Sequence, residues 1–360
     1  MKLRATTELT PGMVIGKDVY TDSGLLVLNA GDPVTEEAVK MLRSNKVNFV
    51  SIREPEDAIE ENDYLDSKEL TYNAKLKENP EFKEFKKAFA EKAFELRKLY
   101  GDIISGNLKE DLMVSSKRIV NSLQSSLKGT PVLDAVINAD DSQDATFVHA
   151  LDAALIATQL AKWLKFTPEE VEIAGVCGLL YDIGKVTIPS SILGSPRKLT
   201  DDQYDVVKQH PQSGYDILKK VVDDDRILNA TLQHHEKCDG SGYPNGLIGN
   251  EIDKYAKLIT IVDTYDAITS QRAYRDDQSP FQVAEIYEME GYQKYDTGYI
   301  MTFLDHMVRS HVGDWCMLSD GTRAKIVMIN PRSLSRPVVA DGERFIDLSK
   351  NKTLTIVKIV

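Results

Sequence analysis

The chain has 360 residues, 42% of them hydrophobic and 28% charged, with a formal net charge of −12 at pH 7. That length allows two or three domains and a sizeable core, while the excess of acid excludes a general nucleic-acid binder, which needs surplus Lys and Arg for the phosphates. Cys177, Cys238 and Cys316 are too scattered for a disulfide framework, no stretch reaches the length of a membrane span, and the opening MKLRATTELT lacks the apolar core of a signal peptide, so a cytoplasmic protein is expected.

Residues 1–53 read as a small α/β unit, either a regulatory or docking module or a structural cap. Pro11-Gly12 and Asp22-Ser23-Gly24 are turn signals, Leu25–Leu28 has strand length, a helix starts at Thr35 and reaches Ser44, and Val47–Ile52 is a closing strand. Residues 54–78 contain EPEDAIEENDY and form an acidic linker of the solvated kind. Residues 79–143 are a helical connector, with Phe89, Phe94 and Leu99 on one face and Gly101 and Gly106 dividing it into two helices. Such a pair is either a homodimer contact or a spacer. Residues 144–312 are helical, with starts marked by Thr167-Pro168-Glu169-Glu170 and Thr200-Asp201-Asp202-Gln203. From 313 to 360, the β-branched runs CMLSDGTRAKIVMI and TLTIVKIV point to a small β appendage. The expected fold class is mainly α: a helical bundle between a small N-terminal α/β unit and a small C-terminal β appendage.

The helical region carries side chains of metal-ligand type at separate helix and helix-end positions: His149, Asp182, His210, His234, His235 and Asp263. Imidazole and carboxylate suit iron, manganese or zinc. Any one of these residues alone reads as structural, but four of the chain's six histidines belong to the set, which favours a metal site. His234 and His235 stand in LQHHEKCDGSGYPNGL. Adjacent helical residues point about 100° apart, so the two would line neighbouring walls of one pocket or serve two neighbouring metal ions. The glycine-rich loop after them lets backbone come close to a ligand.

HHEKCDGSGYP followed by VDTYDAITSQRAYR resembles the HD-GYP family, the branch of HD-domain phosphohydrolases that hydrolyse cyclic di-GMP, over residues 144 to 311. The N-terminal unit is similar to a domain often fused ahead of that family, and the β tail to a short extension that follows it. The resemblance implies an HD-type helical bundle and a metal-dependent phosphodiesterase that opens cyclic di-GMP, with the linear dinucleotide or GMP as the end product. It implies two divalent ions, iron or manganese, held by His149, Asp182, His210, His234, His235 and Asp263, with Asp182 between them. Lys185 would reach the scissile phosphate and join Asp182 in catalysis. Tyr243, with Gly242 and Pro244, would form the substrate loop, which is also a candidate contact for a signalling protein. Arg272 and Arg275 would bind phosphate or guanine through the planar guanidinium fork. The implied partner is cyclic di-GMP, not a nucleic-acid polymer or a membrane.

Two departures from the family pattern stand out. Tyr181 replaces the histidine of the HD pair, and a phenol with a pKa near 10 is a poor ligand at neutral pH, so this is a degenerate ligand position. Ala145 stands where some members carry a glutamate that supports a third metal, which favours a two-metal site. A catalytically impaired protein that binds cyclic di-GMP or a partner is the second reading.

Overall fold

The computed structural model describes residues 2–6, 9–10, 13–15, 19–20, 26–28, 32–44, 47, 49–53, 76–139, 145–193, 199–270 and 279–360. They fall in two compact units, Met1–Leu70 and Thr71–Val360.

In the first unit, strands β1 (Lys2–Ala5), β2 (Val14–Ile15), β3 (Val19–Tyr20) and β4 (Leu26–Leu28) precede helix α1 (Glu36–Ser44) and strand β5 (Phe49–Arg53). Strand β5 lies between β1 and β2 in an antiparallel sheet, and β3 pairs with β4. Thr35 starts α1 by accepting a hydrogen bond from the Ala38 N–H through Oγ1 at 3.1 Å. Ile15, Val34, Leu42, Val50 and Ile52 form the core. Pro11-Gly12, Asp22-Ser23-Gly24 and the linker up to residue 75 lie outside the described residues.

The second unit is a helical body followed by a sheet. Its helices are α2 (Pro80–Ser105), α3 (Leu112–Ser126), α4 (Val132–Ala139), α5 (Ala145–Trp163), α6 (Pro168–Leu180), α7 (Ser190–Leu193), α8 (Asp201–Val207), α9 (His210–Leu218), α10 (Asp225–Gln233), α11 (Lys254–Ser270), α12 (Pro280–Glu290) and α13 (Thr297–Arg309). Both capping boxes form, Thr167 with Glu170 at the start of α6 and Thr200 with Gln203 at the start of α8. Helices α5 and α6 are buried on nearly every side, through residues such as Ala153, Ile156, Leu160, Ala174 and Leu179. The pair therefore forms the rigid centre on which the site is mounted. Among the described residues no helix is long and apolar enough to cross a membrane.

Two details of α2 differ from expectation. Gly101 does not break the helix, which continues to Ser105 and ends at Gly106, where φ is 71°. Phe94 is 73% exposed, whereas Phe89 and Leu99 are buried. Five residues turn a helix about 140° past a full turn, which carries Phe94 off the Phe89 face. The buried stripe is Phe82, Phe85, Phe89, Leu96, Leu99 and Ile103, at spacings of three, four and seven.

Strands β6 (Trp315–Leu318), β7 (Arg323–Asn330), β8 (Ser333–Asp341), β9 (Arg344–Asp347) and β10 (Ile356–Ile359) form an antiparallel sheet in the order β10-β6-β7-β8-β9. Its inward side chains Cys316, Ala324, Ile326 and Val339 join the same core as the helices. Ser279 at the start of α12 donates to Ile356 O at 2.8 Å, and Ser335 donates to Glu288 at 2.5 Å, tying the sheet to α12.

Candidate metal centre

The site forms where the ends of α6 and α10 meet the start of α9 and the middle of α11. Asp182 follows α6 at the head of the short 3-10 turn Ile183–Thr187. Gly184 lets that turn sit directly on α9: a Cβ there would fall 1.9 Å from His210 O and 2.6 Å from Gly214 N. This backbone contact brings Asp182 Oδ1 to 3.2 Å from His210 Nε2 and 3.8 Å from His234 Nε2.

The protonation of these rings follows from their outer partners. His210 Nδ1 lies 2.7 Å from Val207 O, and His234 Nδ1 lies 2.7 Å from Thr231 O. A carbonyl only accepts, so both Nδ1 atoms carry a proton, and in the neutral rings both Nε2 atoms present lone pairs. Those two Nε2 atoms are 3.0 Å apart. The buried Asp182 Oδ1 beside them has no hydrogen-bond donor among the described residues. Three electron-rich atoms thus face one another without a proton between them, an arrangement that a cation resolves. His235 completes a trio of imidazoles, with His210 and His234, whose ligand atoms lie within 4.8 Å of one another. Burial foremost, then the neighbouring His210, pulls the His234 pKa down to about 3. Burial also takes His235 well below the ordinary range. His234 and His235 stay neutral, as metal ligands must. The donor set fits a divalent ion.

Asp182 Oδ2 receives Lys185 Nζ at 2.5 Å. Burial opposes ionisation of Asp182, but Lys185 together with His210 and His234 outweighs it and holds the carboxyl well below its usual range. Asp263, on α11, accepts from the Tyr181 hydroxyl through Oδ1 at 3.1 Å, and its Oδ2 lies 3.7 Å from His235 Nδ1. Burial, then the Asp182 charge, raises the Asp263 pKa. The same two causes push the Tyr181 phenol well above its ordinary value, so it remains a donor. Tyr181 is 1% exposed, and its ring meets the His234 ring edge-on at 4.9 Å. Tyr181 thus fills space beside His234 and spends its proton on Asp263.

His149 belongs to a second group, with Asp152 and Asp266, whose ligand atoms also lie within 4.8 Å of one another. His149 Nδ1 is 2.5 Å from Asp266 Oδ2. Burial disfavours the imidazolium, but Asp266 more than offsets it and the His149 pKa is raised. Donation of Nδ1–H to the carboxylate leaves Nε2 as the ligand atom. The ligand-type residues therefore occur as two clusters, and the sequence reading had named neither Asp152 nor Asp266. The signal was present: Asp152 is three residues after His149 and Asp266 three after Asp263, each pair on one face of a helix.

The glycine-rich loop is folded back over the histidines. His234 caps α10 and His235 lies past its end, so the pair occupy a turn and not two successive helical positions; their ring centroids are 4.2 Å apart. Glu236, 1% exposed, accepts from Asn245 N at 2.7 Å and from Leu247 N at 2.9 Å. At Gly242 a Cβ would meet Lys237 N at 2.4 Å and His235 O at 2.5 Å, so backbone packs on backbone. Tyr243 N then donates to His235 O at 3.2 Å, and the Tyr243 ring stacks on His235 at 4.6 Å. Glu236 is the pin of this loop, a role that only the folded loop reveals. Pro244 is exposed beside Tyr243. Arg272 and Arg275 lie outside the described residues.

A family model described as an HD domain matches residues 114–298, just over half of the chain. The chain is 31% identical over 224 residues to the cyclic di-GMP phosphodiesterase PA4108 of Pseudomonas aeruginosa, covering 61% of this chain and 54% of that protein. It is 37% identical over 148 residues to the cyclic di-GMP phosphodiesterase response regulator RpfG of Xanthomonas campestris, covering 40% and 38%. It is 34% identical over 151 residues to the 3'3'-cGAMP-specific phosphodiesterase 1 of Vibrio cholerae, covering 42% and 35%. The chain thus spans about half, or less, of the length of these relatives. With the HD-domain match lying over the paired histidines, Asp182 and the Gly242-Tyr243-Pro244 loop, the chain belongs to the HD-GYP branch of the HD-domain family.

Proposed function

We propose that the chain is a metal-dependent phosphodiesterase that opens cyclic di-GMP, with the linear dinucleotide or GMP as the end product. The observation that carries this reading is the trio of His210 Nε2, His234 Nε2 and Asp182 Oδ1 facing one another with no donor between them, beside a lysine. Asp182, His210, His234 and His235 would hold one ion, and His149, Asp266 and Asp263 would contribute to a second, with iron or manganese suited to this mix of imidazole and carboxylate. When bound, such ions polarise phosphate oxygens and acidify water. The chain's own residues do the rest. Burial works against the Lys185 cation, but Asp182 outweighs it and keeps the lysine charged, ready to take a non-bridging phosphate oxygen. Tyr243, held flat on His235, orients the substrate from the loop side. Arg272 and Arg275 are assigned to phosphate or guanine by the family pattern.

The hydrogen bond from Tyr181 to Asp263 supports a second reading, a protein that binds the cyclic dinucleotide with little turnover. A homodimer would form through α2, on which Phe94 and Ile104 are exposed. The deciding experiment loads the purified chain with manganese or ferrous iron and follows cyclic di-GMP and 3'3'-cGAMP by chromatography. Linear product from the wild type, absent in Lys185→Met at unchanged metal content, is expected. Tight binding without product in the fully loaded protein would instead establish the second reading.

A further inference from the structure

A cavity of about 300 Å³ lies at the end of α5 opposite His149. Helix α5 carries His149 near its start and Trp163 at its end, about 21 Å away along the axis. The cavity lies at the small end of the range for ligand sites. Its walls include Asp134 from α4, Gln159 and Trp163 from α5, Tyr265 from α11, and His306 and Met307 from α13.

Three features define what it would take. The Trp163 and His306 rings are parallel, 1° between planes with centroids 4.6 Å apart, and make a flat, stiff wall. Gln159, one helical turn before Trp163, is half-buried and makes no hydrogen bond among the described residues. An amide offers a donor and an acceptor side by side, the complement of a lactam or amidine edge. Among the described residues no lysine or arginine lines the cavity, whose acidic and basic side chains are Asp134, His306 and His311, so it offers a phosphate no fixed positive charge. We propose that this cavity is an effector site for a neutral, planar nitrogen heterocycle of nucleobase or nucleoside size, without phosphate. Tyr265 lines it from between Asp263 and Asp266, so an occupant bears on the helix that carries both aspartates. The proposal does not depend on what the metal centre cleaves.

The chain has two tryptophans, Trp163 and Trp315, so in Trp315→Phe the emission reports the cavity wall alone. The full-length variant is titrated with guanosine and adenosine, and with AMP as the phosphate-bearing control. At least one nucleoside is expected to change Trp163 emission saturably with a Kd below about 1 mM, and AMP to bind about tenfold more weakly than adenosine or not at all. Adding Gln159→Leu is expected to weaken the nucleoside about tenfold while the thermal melt and metal content stay unchanged. Three results overturn the proposal: no saturable signal with either nucleoside, AMP binding as tightly as adenosine, or undiminished binding in a normally folded Gln159→Leu protein.

Discussion

At the scale of single residues, Tyr181 and Glu236 set what the site can do. Tyr181 is a neutral donor to Asp263, so one oxygen of that carboxylate is already engaged. Replacing it with histidine exchanges a protonated phenol for an imidazole beside the same carboxylate. Tyr181→His is expected to raise bound metal per chain and the rate of cyclic di-GMP cleavage, read by elemental analysis and product chromatography across a metal titration. If the variant binds no more metal and cuts no faster, Tyr181 is not adjacent to a cation position. Glu236 satisfies two backbone N–H groups from inside the protein. Glu236→Ala leaves both without their acceptor and is expected to cost about 2–4 kcal/mol in urea unfolding. It should also raise the KM for the cyclic dinucleotide, because Tyr243 loses its support. A loss below about 0.5 kcal/mol would mean that water replaces the carboxylate and the loop is not pinned from within.

At the scale of elements, the contact between the 3-10 turn and α9 sets the distance from Asp182 to the histidines. Gly184→Ala puts a methyl group into His210 O, so the turn must lift from α9. Metal binding is expected to fall at least about tenfold with helical content unchanged. Normal metal affinity in this variant would show that Asp182 reaches the cluster without that backbone contact. Elements were also where sequence reading was uneven. The capping boxes at Thr167 and Thr200 were legible because each is a bond across three residues. Phe94 points outward because five residues carry it about 140° round the helix from Phe89, so the full helical period, not mere recurrence of apolar residues, decides the buried face.

At the scale of the whole molecule, burying neutral histidines makes stability depend on pH. His234 titrates near 3 when folded, against 6.5 ordinarily, and His235 is shifted in the same direction. The unfolded chain takes up these protons as the pH falls through about 6.5 and the folded chain does not, so each ring costs about 1.4 kcal/mol per pH unit below that point. His149 acts oppositely: its folded pKa is raised, so its contribution is full below 6.5 and is lost as the pH rises through the folded value. Asp182, held low, matters only below the usual carboxylate range. The His149 contribution is constant below 6.5 and offsets nothing there, so the His234 and His235 rings are expected to weaken the metal-free protein by about 2 kcal/mol for each unit from pH 6.5 to 4.5. Urea unfolding in the presence of a chelator measures it, and constant or rising stability on acidification would contradict neutral, buried His234 and His235. Metal addition at pH 7 is expected to raise the melting temperature in proportion to the logarithm of the metal concentration, since only the folded chain presents the site; a metal-independent melt would remove the case for a centre there.

What the sequence determined by itself is local: the mainly helical class, helix starts, the turn to β structure after Gly313, and the residue types of the histidine loop. These follow from periodicity, caps and turn residues, which act over three or four positions. The tertiary structure decided the pairings. The Tyr181–Asp263 hydrogen bond joins residues 82 apart, and the facing Nε2 atoms of His210 and His234 come from residues 24 apart. The Val207 and Thr231 carbonyls that set both tautomers are local, each three residues before its histidine, but only the packed fold shows that His149 keeps company with Asp266 and that Glu236 holds the loop. Such contacts depend on how buried helices settle against one another, and no property of neighbouring residues encodes that.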